Sequence, residues 1–99
     1  MAGVTILLDV IKKDPDNIRA GLTLGRLSLV SGQFEKAIQR LDHILKLEPD
    51  NTEALLYLAG VYEQTNQKQK AIQYYERCRD LSENPETSQK IDIYLQKLK

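Results

Sequence analysis

The apolar positions of this 99-residue chain follow a helical period along nearly its whole length. In residues 3–13, Val4, Leu7, Val10 and Ile11 recur at three- and four-residue intervals, which places them on one face of a helix. The same spacing predicts further helices over residues 17–30, 34–46, 52–64, 68–81 and about 86–98. We therefore expect an all-α fold of six helices, antiparallel between sequence neighbours, without strands.

The predicted helices are separated by residues that end or start helices. Proline recurs in Asp14-Pro15-Asp16-Asn17, in Glu48-Pro49-Asp50-Asn51 and in Asn84-Pro85. The last pair is typical of a helix start, because Pro suits the first helical position. Gly32 and Asn66 stand at the two other turns, and both residue types tolerate the left-handed conformation that ends a helix. Asp50 and Glu53 have the spacing of a capping box, which predicts Asp50 as the cap.

The chain also repeats itself at an offset of 34 residues. Of the 48 pairs from 1/35 to 48/82, 14 are identical, whereas unrelated sequences match at only about one position in fifteen. A fixed period of this length is typical of helical repeat arrays. The identities include Pro15/Pro49, Asn17/Asn51, Ala20/Ala54, Leu22/Leu56, Leu24/Leu58, Gln33/Gln67, Lys36/Lys70, Ala37/Ala71 and Ile38/Ile72.

The repeat resembles the tetratricopeptide repeat, whose pattern runs from a large residue through Leu-Gly, Tyr, Ala and an aromatic to Pro. The resemblance implies an α-solenoid of antiparallel helix pairs in a right-handed superhelical array. Gly21 and Ser28 depart from the pattern, because the family has bulk at both positions. The first full copy offers Gly21, Leu24-Gly25, Ser28, Ala37, Leu41 and Pro49; the second offers Leu55, Leu58-Ala59, Tyr62, Ala71 and Tyr75, and closes two residues late at Pro85.

We interpret residues 1–99 as a single domain of this kind. Residues 17–49 form repeat one and residues 51–83 form repeat two. Residues 3–13 correspond to the second helix of a truncated repeat, and residues 86–98 form a capping helix that presents Ile91, Tyr94, Leu95 and Leu98 inward. We expect either that the chain was cut from a longer protein or that the first helix serves as an N-terminal cap.

Composition narrows the classes of function. Fourteen basic residues balance fourteen acidic ones, so no basic excess favours a nucleic-acid partner. The longest apolar run is too short to span a bilayer, so we expect no membrane contact by this segment, and residues 1–5 carry no signal-peptide pattern. The single cysteine, Cys78, cannot form an internal disulfide, so the compartment stays open.

The residues that carry catalytic chemistry do not form a recognisable set. His43 is the only histidine, and we interpret it as a solvated surface residue. Cys78 aligns with Val10 and Ile44, which predicts a small buried core residue. Carboxylates are scattered over helix surfaces, and no glycine spacing suits a phosphate loop. We therefore expect no enzymatic activity, no cofactor and no metal.

The resemblance implies that the first helix of each repeat lines a concave, partner-binding face. We expect Leu22 and Leu56 to be partly exposed there; the alternative is that the next helix covers them. Some members of the family hold a C-terminal carboxylate with Lys and Asn where this chain has Leu22 and Arg26, so chaperone tails are not predicted. The positions that map to this face are Arg19, Leu22, Arg26, Leu29, Glu53, Leu56, Gly60, Glu63 and, from the capping helix, Asp92.

Two classes of function follow. The first is a protein-interaction module that binds a peptide or helix of a partner on the concave face. The second is a structural or self-associating segment of a longer solenoid, without a ligand of its own. In either case we expect a monomer or weak self-association.

Overall fold

The computed structural model describes residues 2–99 and contains six helices over that range, without a strand. The prediction of an all-α fold with six helices is therefore confirmed. Val4 is predicted on the apolar face of the first helix, but its side chain is not among those that the structure describes. The helices are α1 (Ala2–Lys13), α2 (Ile18–Val30), α3 (Phe34–Leu47), α4 (Thr52–Gln64), α5 (Lys68–Leu81) and α6 (Pro85–Leu98).

Each helix packs against its neighbours in sequence, which gives a solenoid of helix pairs. The most extensive contacts lie within the pairs α2–α3 and α4–α5, and α2 also packs directly against α4. Over the described chain, by contrast, no Cα atom of α6 lies within 8 Å of one in α4. The division into a truncated repeat, two full repeats and a cap stays a prediction.

Asparagine side chains fix the starts of three helices. The side chains of Asn17 and Asn51 each accept a hydrogen bond at 2.9 Å, from the backbone amides of Ala20 and Ala54. The prediction of Asp50 as the cap is therefore wrong: α4 begins at Thr52, so Asn51 is the residue that can reach the third helical amide. Asn84 caps α6 with Pro at its first position, as the sequence predicts.

The turns inside the two helix pairs use the left-handed backbone conformation. Gly32 has φ +80° and Asn66 has φ +61°, and the two residues are 34 positions apart. Glycine adopts this conformation without steric cost, and asparagine is among the few other residues that do so readily. The sequence-based prediction for both turns is confirmed.

The core is centred on α4. Leu55, Leu58 and Val61 of this helix are fully buried, and Leu41 of α3 joins them. Small residues let the neighbouring helices approach: a Cβ atom at Gly25 would lie 2.8 Å from Cδ2 of Leu41. The small residue at this crossing therefore sets how closely α2 and α3 pack together.

We expect Ala37→Leu and Ala71→Leu each to lower the free energy of unfolding by about 1–3 kcal/mol, because both alanines are completely buried and the added atoms overpack the core. Chemical denaturation measures the change. Gln73→Leu, at an exposed position of α5, is the control and should stay within about 0.5 kcal/mol of the parent. An alanine variant as stable as the parent would contradict the helix register.

Candidate functional site

The predicted partner-binding residues lie on α2, α4 and α6, whose outer surface we call the first-helix face. Arg19 and Arg26 of α2 and Glu53 of α4 are exposed. Among the described residues, none of these three side chains forms an ion pair or a side-chain hydrogen bond. The face thus offers uncompensated positive charge on α2 and uncompensated negative charge at the start of α4.

The two leucines that the repeat places at equivalent positions have different environments. Leu22 is only 5% exposed, which is the covered alternative, whereas Leu56 is 40% exposed, as expected for a groove residue. The difference comes from the neighbouring helix on this face. Helix α4 packs directly against α2, which carries Leu22, whereas α6 stands away from α4 and leaves Leu56 uncovered. The connection before α6, Ser82–Asn84, is also one residue shorter than the proline-containing turn before α4.

Leu56 lies in an apolar depression between α4 and α6, which we call the α4–α6 groove. Tyr75 of α5 lines the groove together with residues of α6. The groove has a volume of about 290 Å³. A second depression of about 310 Å³ adjoins it toward the start of α4, where Glu53 and Cys78 are among the lining residues. The residues that define the groove are Leu56, Tyr75, Lys90, Ile91 and Tyr94.

A further depression, of about 510 Å³, brings together Leu29, Gly60 and Glu63, all predicted from the sequence. A Cβ atom at Gly60 would lie 3.2 Å from Cδ2 of Leu29, so the glycine gives Leu29 room beside α4. Tyr94 lines this depression as well as the α4–α6 groove. Its side chain therefore stands between the two.

Glu63 ties three helices together at this end of the face. Tyr75 of α5 donates a hydrogen bond to Oε1 of Glu63 at 2.9 Å, and Tyr94 of α6 donates one to Oε2. The two tyrosine rings also meet edge to face, with centroids 5.1 Å apart. Glu63 is therefore engaged inside the molecule and is less available to a partner than Glu53.

The same arrangement favours the protonated form of both phenols. Burial of Tyr75 and its hydrogen bond to Glu63 raise its pKa well above the ordinary tyrosine value of about 10. The pKa of Tyr94 is raised first by its bond to Glu63 and then by burial. Both phenols consequently keep the proton that they donate to a higher pH than an ordinary tyrosine does.

Asp92 is not brought into the groove. One of its oxygens accepts a hydrogen bond at 3.0 Å from Arg79 of α5, whose guanidinium also contacts Asp80 at 3.1 Å. Exposed ion pairs of this kind stabilise a protein by only about 0–1 kcal/mol. The main effect of the pair is to neutralise Asp92, a residue that the resemblance maps to the partner-binding face.

Sequence reasoning missed the residues of α5 and α6 that complete the groove. Tyr94 was expected to point inward, yet it is 37% exposed, and Tyr75 and Lys90 were not considered as binding residues. Tyrosine combines an apolar ring with a polar tip, so a tyrosine near the edge of a helical face was an available signal.

Two other kinds of site have no candidate among the described residues. No three His, Cys, Asp or Glu side chains among them could together hold a metal ion. Likewise, none of the described helices combines the length and the apolar character that crossing a bilayer requires.

Comparison with known proteins agrees with the repeat. A family model described as tetratricopeptide repeat matches residues 4–47 and residues 31–86. The chain belongs to the tetratricopeptide repeat family. Repeats of this family generally mediate protein–protein interactions, and its members are typically scaffolds rather than enzymes.

Solved structures share the fold. Eighteen chains match, among them one described as "MamA RS-1 ArsTM double mutant". It aligns with a TM-score of 0.73 at 20% sequence identity, over 96% of this chain and 63% of its own length. This chain therefore spans less than two thirds of that protein, and at such identity the likeness concerns the fold alone. No curated protein matches the chain.

Cys78 should react slowly with thiol reagents in the folded protein. Its side chain is 4% exposed, burial raises the pKa of the thiol, and Sγ lies 3.6 Å from the carbonyl oxygen of Thr52. The low exposure limits access of the reagent, and the raised pKa lowers the fraction of the reactive thiolate. Both effects slow the reaction. Labelling with a chromogenic disulfide at neutral pH, with and without denaturant, measures the difference. Equal rates in the two conditions would show that the thiol is accessible.

Proposed function

We propose that this chain is a protein-interaction module that holds a segment of a partner protein along the first-helix face. The observation that carries the proposal is the exposed Leu56 in the α4–α6 groove, beside the ring of Tyr94. An exposed apolar side chain in a groove rimmed by charge suits a peptide or helix that inserts one large apolar residue. The proposed action is binding without catalysis.

The charges on the face suggest the polarity of that segment. Arg19 and Arg26 are unpaired and favour acidic residues over α2, while Glu53 favours a basic residue near the start of α4. Glu63 and Asp92 contribute less, because each already has a partner within the chain. The segment that fits best has an acidic end, a large apolar anchor and a basic residue.

The test is a selection of short random peptides on the immobilised chain, followed by affinity measurements on the enriched sequences. We expect Leu56→Asp to remove most of the affinity, because a carboxylate in the groove opposes an apolar anchor. Gln73→Asp, which adds the same charge at an exposed site on α5, should have little effect. Loss in Gln73→Asp with retention in Leu56→Asp would place the binding surface elsewhere.

Salt separates the contributions of charge and burial. Raising the ionic strength from about 0.1 M to about 1 M shortens the Debye length from about 10 Å to about 3 Å. Binding by the parent chain should weaken accordingly, and Arg26→Gln should reduce that salt dependence. Apolar contacts at Leu56 are less sensitive to salt.

The alternative is a self-associating segment. It is favoured by one observation, the exposure of Ile6 (63%) and Leu8 (45%) on α1. Sedimentation velocity at increasing concentration distinguishes the two functions. A mass that rises with concentration and returns to that of one chain in Ile6→Lys favours self-association, whereas a constant mass of one chain favours the interaction module.

A further inference from the structure

The two repeats fill the space beside their second helices differently. In repeat two, Tyr62 of α4 stacks on Tyr74 of α5 with ring centroids 5.4 Å apart, and Leu55 is fully buried. The residues 34 positions earlier are Ser28, Arg40 and Gly21. Repeat one therefore carries two small residues and one cation where repeat two has three large side chains.

Two cavities lie where this bulk is missing. One, of about 430 Å³, is lined by Gly21 and Arg40 and, from α1, by Ile11. The other, of about 510 Å³, is lined by Ser28 and Arg40 and bounded by Leu8 of α1. We call the two together the α1–α3 cleft. Its defining residues are Leu8, Ile11, Gly21, Ser28, Lys36 and Arg40, of which Lys36 and Arg40 line both cavities.

The cleft combines apolar walls with unpaired positive charge. Lys36 and Arg40 stand one turn apart on α3, and within the described part of the chain neither forms an ion pair or a side-chain hydrogen bond. Asp16, an acid that also lines the cleft, is held by His43, whose Nε2 lies 2.9 Å from its Oδ1. The cleft therefore has two cations available to an incoming anion.

We propose that the α1–α3 cleft binds a small amphipathic carboxylate, with its alkyl or aryl body in one cavity and its acid group at Lys36 and Arg40. The cavity volumes fall within the range of about 300–1,000 Å³ usual for small-molecule sites. Arginine is well suited to the acid group, because its planar guanidinium binds a carboxylate through two parallel hydrogen bonds. The site does not include Leu56 or the α4–α6 groove, so it is independent of the proposed protein-binding function.

Octanoate is the probe for a titration of the intact chain, followed by calorimetry and by amide chemical shifts. We expect saturable binding of one octanoate, with the shift changes in α1, α2 and α3. Lys36→Gln should weaken binding about tenfold, which corresponds to the loss of one charge-assisted hydrogen bond. Lys70→Gln, at the equivalent position of repeat two, is the matched control and should leave the affinity unchanged. Octanol, which lacks the carboxylate, should bind more weakly.

The variant Ser28→Tyr/Arg40→Tyr places the aromatic pair of repeat two in repeat one and should abolish binding by filling the cleft. Binding retained in this variant while it is folded would overturn the proposal. So would non-saturable binding, equal effects of Lys36→Gln and Lys70→Gln, octanol binding as tight as octanoate binding, or shift changes confined to α4–α6. If the double variant fails to fold, the comparison of Lys36→Gln with Lys70→Gln decides.

Discussion

The structure depends on the burial of α4. This helix is apolar around most of its circumference, with Leu55, Leu58 and Val61 fully shielded from solvent, and such a helix is stable in water only when other helices surround it. The helices α2, α3 and α5 supply that cover. The remaining elements, α1 and α6, attach to this assembly from opposite ends. Both proposed ligand recesses lie beside these two end helices.

Repetition makes the chain its own control. The helix pairs α2–α3 and α4–α5 have helices of the same lengths, yet α4–α5 stacks Tyr62 on Tyr74 where α2–α3 has Ser28 and Arg40. The difference in side-chain volume appears as open space in the first repeat. On the first-helix face it is the later helix pair that is more open, because Leu22 is covered and Leu56 is exposed. The first contrast comes from different side chains at equivalent positions, and the second comes from the position of the helix that follows.

Local sequence signals were sufficient for the fold. Helical periodicity predicted the six helices, and the residue types at Gly32 and Asn66 predicted their left-handed turns. The candidate site was less predictable. Whether Leu56 is covered depends on the distance between α4 and α6. The residues next to Leu56 in the sequence do not determine that distance. The cap of α4 was missed for a smaller reason, because two neighbouring residues, Asp50 and Asn51, both have suitable side chains and only the first helical residue decides between them.

The arrangement of helices around α4 has a consequence for local stability. In a linear array each unit is stabilised mainly by its immediate neighbours, so the units at the ends lose contact first. The free energy of local opening should therefore rise from α1 and α6 toward α4, and amide protons of α4 should exchange with solvent last. At the C-terminal end the bonds from Tyr75 and Tyr94 to Glu63 oppose such fraying, whereas over the described residues α1 packs less extensively on α2 than α6 does on α5. The α1–α3 cleft thus lies beside the segment that opens most readily, which gives a ligand of that cleft a route of entry.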